Sequence, residues 1–132
     1  MNEIRIAIYT KSQLTSTFKT STGGRFYWDK APQTPTYPFV VAHLIVDDPS
    51  HTFSEHFEDV RIQFNIYSKS TSASECGTIY SYLKTLLENP TLTVTDYRCV
   101  KIDRLTGHSF WDEIKEQYIY VVDYNFLLEK ST

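Results

Sequence analysis

The chain has 132 residues and a formal net charge of −3, and its lysines and arginines form no basic stripe. Proteins that bind nucleic acid gain most of their affinity by neutralising phosphates, so this charge balance argues against a free-standing DNA-binding protein. The length fits one domain, residues 1–132, and the aromatic share of 15%, with ten tyrosines, favours a β-rich domain that has a binding partner.

The first predicted element is a helix that ends before Gly23-Gly24. Its apolar residues lie three or four positions apart, with Lys11 interrupting the stripe: Ile4, Ala7, Ile8, Leu14 and Phe18. The glycine pair can take the positive φ angles that follow a helix end. No long apolar stretch precedes or overlaps this helix, so neither a signal peptide nor a membrane span is expected. A short strand is predicted at residues 25–28, followed by a proline-rich loop from Asp29 to Pro38.

Two strands separated by a polar segment are predicted next. Phe39–Val46 is a nearly continuous apolar run, which favours a strand buried on both faces with His43 as a satisfied core residue. Residues 47–57 are polar and rich in turn-forming residues, which predicts a long loop or the tip of a hairpin. Residues 58–68 then alternate, which predicts a half-buried antiparallel strand. Its apolar face holds Val60, Ile62, Phe64 and Ile66, and its polar face holds Arg61, Gln63, Asn65 and Tyr67.

A second helix and two further strands complete the predicted fold. Ser72 and Glu75 are spaced as a capping box, and Asn89-Pro90 ends the helix. The apolar stripe between them contains Cys76, Ile79, Tyr80, Leu83, Leu86 and Leu87. Strands at 91–103 and 116–128 flank a loop at 104–115, and the last strand is apolar on both faces, so both are expected to be covered. The order α-β-β-β-α-β-β predicts an α+β fold with a mixed, mostly antiparallel sheet and two packed helices.

The sequence contains no known catalytic or cofactor-binding motif, so no catalytic residue, metal or cofactor is predicted. Adjacent carboxylates such as Asp47-Asp48 diverge on a regular backbone and do not suit general acid–base chemistry. His51 and His56, with acidic neighbours, match no ligand spacing, which favours a solvated loop tip over a metal site. Cys76 and Cys99 lack a CxxC pattern; two small buried thiols are favoured, and a disulfide stays open.

Aromatic residues in the two predicted loops are the clearest candidates for partner contact. Phe53 and Phe57 lie in the first loop, and Phe110 and Trp111 in the second. Apolar side chains in surface loops either pack back onto their own domain or contact a partner, and the sequence leaves both open. Together with the polar strand face of Arg61, Gln63, Asn65 and Tyr67, they form the predicted subunit or partner interface.

Two stretches carry a resemblance to a known family: residues 24–33, GRFYWDKAPQ, and residues 37–41, YPFVV. They resemble the tail-terminator-like (tail completion) proteins of long-tailed bacteriophages and prophages, in which a D-x-A-P loop precedes a Y-P-[YF]-V-V strand. The resemblance implies a ring, typically of six subunits, on the end of the tail tube. Such a ring stops tube growth and presents a surface to the head-side connector. By position, Ala31-Pro32 and Tyr37-Pro38 shape the loop, and Phe39–Val46 forms a central strand.

The resemblance also sets expectations for partners and location. The expected partners are other copies of the chain, the tail tube protein and the head-side connector, with no membrane and no specific nucleic-acid binding, although DNA would pass through the ring. The expected location is the tail end of the virion, in the neck region, after assembly in the host cytoplasm. Two other classes stay open: a neighbouring neck component (a head-completion or connector protein), and a small enzyme or ligand-binding α+β domain.

Overall fold

The computed structural model describes residues 2–14, 17–51, 56–70, 72–88 and 92–130. In these ranges the elements are α1 (Asn2–Ser12), α2 (Thr17–Thr22), β1 (Phe26–Trp28), β2 (Phe39–His51), β3 (His56–Ser68), α3 (Ser74–Glu88), β4 (Thr93–Val94), β5 (Tyr97–Asp112) and β6 (Gln117–Lys130). The strands form one sheet in the order β1-β2-β3-β6-β5-β4. β1 pairs with β2 in parallel, and the other neighbours are antiparallel. The prediction of an α+β fold with a mostly antiparallel sheet is confirmed.

The N-terminal segment predicted as one helix forms two. α1 ends at Ser12, whose hydroxyl donates to the carbonyl oxygen of Tyr9 at 2.7 Å, and α2 begins at Thr17. Hydroxyl groups that bond to the nearby backbone compete with helix continuation. Leu14, which the apolar stripe placed on the buried face, is 58% exposed. Gly23 and Gly24 have φ angles of 65° and 76°, as predicted for residues that follow a helix end.

Both segments predicted as long loops are largely β-strand. β2 continues to His51 and β3 begins at His56, so residues 47–51 and 56–57 pair within one hairpin. β5 continues to Asp112, which pairs with Gln117 of β6, so only the turn between these two residues remains of the predicted loop at 104–115. Polar and turn-forming residues suggested loops, but cross-strand pairing along two long hairpins overrides local propensity.

Two strands predicted to be covered on both faces are covered less completely. Residues 39–42 of β2 are buried, but a bulge follows Leu44, and Ile45 and Val46 are 48% and 37% exposed. In β6 every second residue from Val122 to Leu128 is buried, whereas Val121 and Leu127 on the other face are only partly buried. The helices cover one face of the sheet, so an apolar run in these strands does not imply burial on both sides.

Helix α3 packs through the predicted stripe but begins differently. Its residues Cys76, Ile79, Leu83, Leu86 and Leu87 are buried, and Tyr80 is partly buried. The Ser72 hydroxyl oxygen accepts a hydrogen bond from the backbone N–H of Ser74 at 3.2 Å, and the Glu75 carboxylate accepts one from the Ser68 hydroxyl. The reciprocal capping box predicted for Ser72 and Glu75 is therefore wrong. Glu75 instead ties the start of α3 to the end of β3.

The core lies between the sheet and the three helices, which all pack on one face. The rings of Phe26 and Phe64 are 6.3 Å apart, and those of Phe64 and Tyr124 are 5.8 Å apart. Tyr80 of α3 stacks on Tyr120 of β6 at 4.5 Å, and α1 and α2 add buried apolar side chains to the same cluster. These contacts turn the even-numbered residues of β3 and β6 toward the helices, which leaves the odd-numbered residues on the other face.

The two cysteines are free thiols, so the disulfide that the sequence left open is not formed. Cys76 is fully buried on the inner face of α3, whereas Cys99 is partly buried on β5. Burial raises the pKa of the Cys76 thiol to about 11, and the Glu75 carboxylate adds to the shift. Because the thiolate is the reactive form, we expect Cys76 to resist alkylation at about pH 8 in the folded protein and to react in denaturant. Mass spectrometry of the labelled peptides measures this, and equal labelling of Cys76 in both conditions would contradict its burial.

Candidate assembly surface

The sheet face opposite the helices carries the side chains predicted to contact a partner. On β3 these are Phe57, Arg61, Gln63, Asn65 and Tyr67, which alternate with the core residues; Asp59, which was not predicted, lies in the same row. Strand register extends this row across the sheet: Tyr67 lies opposite Ile119 of β6, which in turn lies opposite Phe110 of β5. We call this side, defined by the odd-numbered residues of β3 and their cross-strand neighbours, the open face.

Hydrogen bonds between β3 and β6 fix the polar centre of the open face. Arg61 Nη2 and Nε lie 2.6 Å and 3.2 Å from Asp123 Oδ2, and the Asn125 amide donates to Asp59 Oδ1 at 3.1 Å. The Arg61 side chain is 41% exposed, and solvent screening limits such a pair to about 0–1 kcal/mol of stability. The main effect of these bonds is to orient the side chains, so a partner meets a preformed polar surface.

Aromatic side chains form one end of the open face. The rings of Phe39 and Tyr67 stack with centroids 4.7 Å apart, and Tyr37 contacts Phe39 at 5.0 Å. Tyr37 belongs to the loop at residues 29–38, and its hydroxyl donates to Gln117 Oε1 at the start of β6, 2.6 Å away. β2 and β3 lie between β1 and β6 in the sheet, so this loop folds across the end of the open face.

A cleft of ≈ 530 Å³ lies between this loop and the open face. Lysines and aromatic rings line it: Lys30, Lys69, Lys115, Tyr37, Phe39 and Tyr67. The ammonium group of Lys69 lies 5.1 Å from the centre of the Tyr37 ring and donates to the carbonyl oxygen of Lys115 at 2.6 Å. Burial raises the pKa of the Tyr37 and Tyr67 hydroxyls, and the Asp112 carboxylate raises the pKa of Tyr37 further. Both hydroxyls are therefore neutral at physiological pH. We call this site the lysine–aromatic cleft.

The far end of the same two strands is acidic. Strand register places Asp48 directly opposite Asp59 on the open face, whereas Asp47, opposite Val60, and Glu58 point to the helix side of the same hairpin end. Burial raises the pKa of the Glu58 carboxyl, and the neighbouring Asp47 raises it further, as expected for crowded like charges. Phe57 lies half-buried at this end of the open face. We call residues 47–51 and 56–59 the acidic hairpin end.

The structure brings most of the predicted interface residues to one side of the sheet. Phe57, Arg61, Gln63, Asn65, Tyr67 and Phe110 share the open face. Trp111 lies on the helix side, where its ring contacts Tyr118 at 4.8 Å, and Phe53 lies outside the described residues. Phe110 and Trp111 are adjacent strand residues rather than loop residues, so they point to opposite faces and do not form one contact surface. The role of these residues as an interface stays a prediction.

Sequence reasoning missed the lysine–aromatic cleft. The prolines and Tyr37-Pro38 marked a loop, but they carried no signal of which sheet face it would cover. Lys69 follows β3, and Lys115 lies in the turn before β6, so the three lysines come from distant parts of the chain. His43, predicted to be a satisfied core residue, is partly exposed and lines this cleft, because it points to the open face opposite Gln63.

The open face combines aromatic rings at one end with polar and charged side chains around them, a composition that many protein contact surfaces share. Within the described ranges, no group of three or more His, Cys, Asp or Glu side chains is arranged to hold a metal ion. The side chain of His51, one of the two histidines considered as ligands, lies outside the described part of the chain. Among the helices that the structure describes, none is long and apolar enough to cross a membrane.

Comparison with known proteins agrees with the sequence resemblance. The family model described as "Tail completion protein gp17" matches residues 6–129. The chain belongs to this family. It is thereby a structural protein of the phage tail end. None of the curated proteins matches the sequence.

Two solved structures share the fold of this tail completion protein. A chain from the virion of a native gene transfer agent particle aligns with a TM-score of 0.78 and 12% sequence identity, over 97% of this chain and 96% of that one. A second solved chain aligns with a TM-score of 0.57 and 16% identity, over 95% of this chain and 94% of its own length. At these identities the similarity establishes the fold alone.

Proposed function

We propose that the chain forms a ring on the end of the tail tube, stops tube growth and provides the surface to which the head is joined. Its partners are then other copies of itself, the tube protein and the head-side connector. Membership of the tail completion family supports a place at the tail end. The similar chain in a gene transfer agent virion supports assembly with other particle proteins.

The observation that carries the proposal is the open face. It presents aromatic rings at one end, an oriented Arg61–Asp123 pair at the centre and carboxylates at the other end. A subunit of a ring needs two different contact surfaces, because each copy meets its two neighbours through opposite sides of one repeated interface. The two chemically distinct ends of the open face supply such a pair.

Tube growth in the presence of the purified chain tests the proposed function. Tube protein polymerised alone is expected to give a broad distribution of long tubes. Addition of the chain during polymerisation is expected to shorten the tubes and to place a ring of density on one end, because a capped end accepts no further subunits. Negative-stain electron microscopy measures both the tube lengths and the end density.

A control with the connector ring makes the outcome specific. A connector ring offered to the same preparation shows whether capped tubes gain the ability to bind the head side. Tubes of unchanged length with bare ends would contradict the proposal. Binding to the connector ring without binding to tube ends would instead favour a neighbouring neck component.

A further inference from the structure

We propose that neighbouring subunits of the ring join head to tail, with the acidic hairpin end of one copy seated in the lysine–aromatic cleft of the next. This inference rests on the proposed ring and names the contact that would build it. The occupant of the cleft is a second copy of this chain.

The charges of the two surfaces are complementary. The cleft carries Lys30, Lys69 and Lys115. It is therefore a positively charged site on a chain whose net charge is −3. Asp29, the carboxylate that also lines the cleft, lies 3.3 Å from Arg5 in an ion pair. Complementary charge across an interface selects the partner and fixes its orientation.

The acidic hairpin end carries an excess of like charge that a lysine-rich partner would relieve. Asp48 is exposed and lies directly opposite Asp59 on the open face, so two carboxylates face each other across neighbouring strands. Like charges directly opposite each other on neighbouring strands are destabilising. Lysine side chains from a second copy would turn this repulsion into attraction.

The apolar parts of the two surfaces also match. Phe57 lies at the acidic hairpin end, and the cleft floor holds the stacked pair Phe39 and Tyr67 with Tyr37 beside it. A further aromatic ring packs well against such a group in an edge-to-face or offset arrangement. An aromatic anchor surrounded by charged residues is typical of the energetically important centre of a protein interface.

The contact between the acidic hairpin end and the lysine–aromatic cleft requires two copies of the chain. Phe57 and Tyr67 lie at opposite ends of β3, ten positions apart, which corresponds to roughly 33 Å along a strand. The hairpin end therefore cannot reach the cleft of its own chain. When it occupies the cleft of a second copy, each copy keeps one free cleft and one free hairpin end, so the contact repeats until the ring closes.

Charge reversal on each surface tests the contact. The cleft variant is Lys30→Glu with Lys115→Glu, and the hairpin variant is Asp48→Lys with Asp59→Lys, the two carboxylates that face each other on the open face. Lys30, Lys115 and Asp48 are exposed, and Asp59 is partly buried. Each variant alone is expected to lose the ring, because every interface then joins like charges. An equal mixture of the two is expected to restore rings of alternating copies, since each interface again joins opposite charges. A chain that carries all four substitutions is also expected to form rings.

Light scattering after size-exclusion chromatography and negative-stain microscopy measure the rings, and thermal unfolding confirms that each variant is folded. Lys19→Glu with Lys84→Glu is the matched control: it makes the same change of net charge on α2 and α3, on the helix side of the sheet, and is expected to leave rings intact. If a double variant fails to fold, the single variants Lys30→Glu and Asp48→Lys are mixed in the same way.

The possible outcomes separate this inference from the proposed function. Wild-type rings together with folded variants whose mixture forms none would overturn the contact and leave the ring standing. Rings from either variant alone would also overturn it. A cleft variant that keeps its rings but no longer binds tube ends would show that the cleft receives the tube protein. A wild-type chain that forms no ring, with or without tubes, would overturn both proposals.

Discussion

Overgrown tails are expected from a phage whose chain carries Phe53→Asp together with Phe57→Asp. Phe57 lies on the open face at the acidic hairpin end, outside the buried core cluster. An aspartate there removes the aromatic anchor and adds a carboxylate beside Asp48 and Asp59. Phe53, which lies outside the described residues, is included because the sequence predicts that it contacts a partner together with Phe57. The substitutions should therefore abolish ring assembly and leave the monomer folded.

Particle length in electron micrographs measures the effect. Tubes without a ring should continue to grow and should fail to join heads, so infectious titre should fall together with the loss of length control. The matched control is Ile6→Asp with Leu14→Asp, which replaces two apolar residues that are 64% and 58% exposed near the N-terminus. Normal-length tails and infectious particles from the hairpin variant would exclude this patch as the assembly surface.

The elements that the sequence predicted best are those with one fully buried face. Val60, Ile62, Phe64 and Ile66 are all completely buried in β3, as their alternation predicted. β3 lies in the middle of the sheet with helices on one side, so each position meets either the core or the open face. The stripe on α3 was equally informative because that helix contacts the sheet along one face only.

The elements that the sequence predicted poorly lie where burial is weak. From Arg104 to Trp111 every residue of β5 is exposed, so no core face imposes an apolar alternation there. The strand forms because it pairs with β6, and that pairing is not visible in local composition. For the same reason Phe110 and Trp111 were expected in one loop, whereas they occupy opposite faces of one strand. The end of α1 at Ser12, whose hydroxyl donates to the carbonyl oxygen of Tyr9, was likewise not visible in the spacing of the apolar residues.

One part of the candidate site, the polar row on β3, could be predicted from the sequence, and the other part, the lysine–aromatic cleft, could not. The polar row on β3 follows from strand alternation, and the structure places it on one face as expected. The lysine–aromatic cleft depends on the hydrogen bond from Tyr37 to Gln117, which joins residues 80 positions apart. No spacing rule in a single sequence connects such residues, because the contact exists only after the sheet order is fixed.

The largest loss of stability is expected from Leu83→Ala. Leu83 lies in the middle of the α3 stripe and is completely buried against the sheet. Removing most of its side chain loses transfer free energy and leaves a cavity, which should lower the free energy of unfolding by about 2–5 kcal/mol. Thermal or urea denaturation measures this change. Ser81→Ala, at an exposed position of the same helix, is the matched control and should change stability by no more than about 0.5 kcal/mol.

The same variant separates stability from assembly. Leu83 faces the helix side of the sheet, whereas the proposed subunit contacts lie on the open face, so the substitution leaves every contact residue in place. At a temperature where the variant is folded, it should form rings of wild-type size and cap tubes. On warming, rings and folded structure should disappear together, at a lower temperature than in the wild type. Loss of rings while circular dichroism still shows a folded chain would place the assembly surface on the helix side.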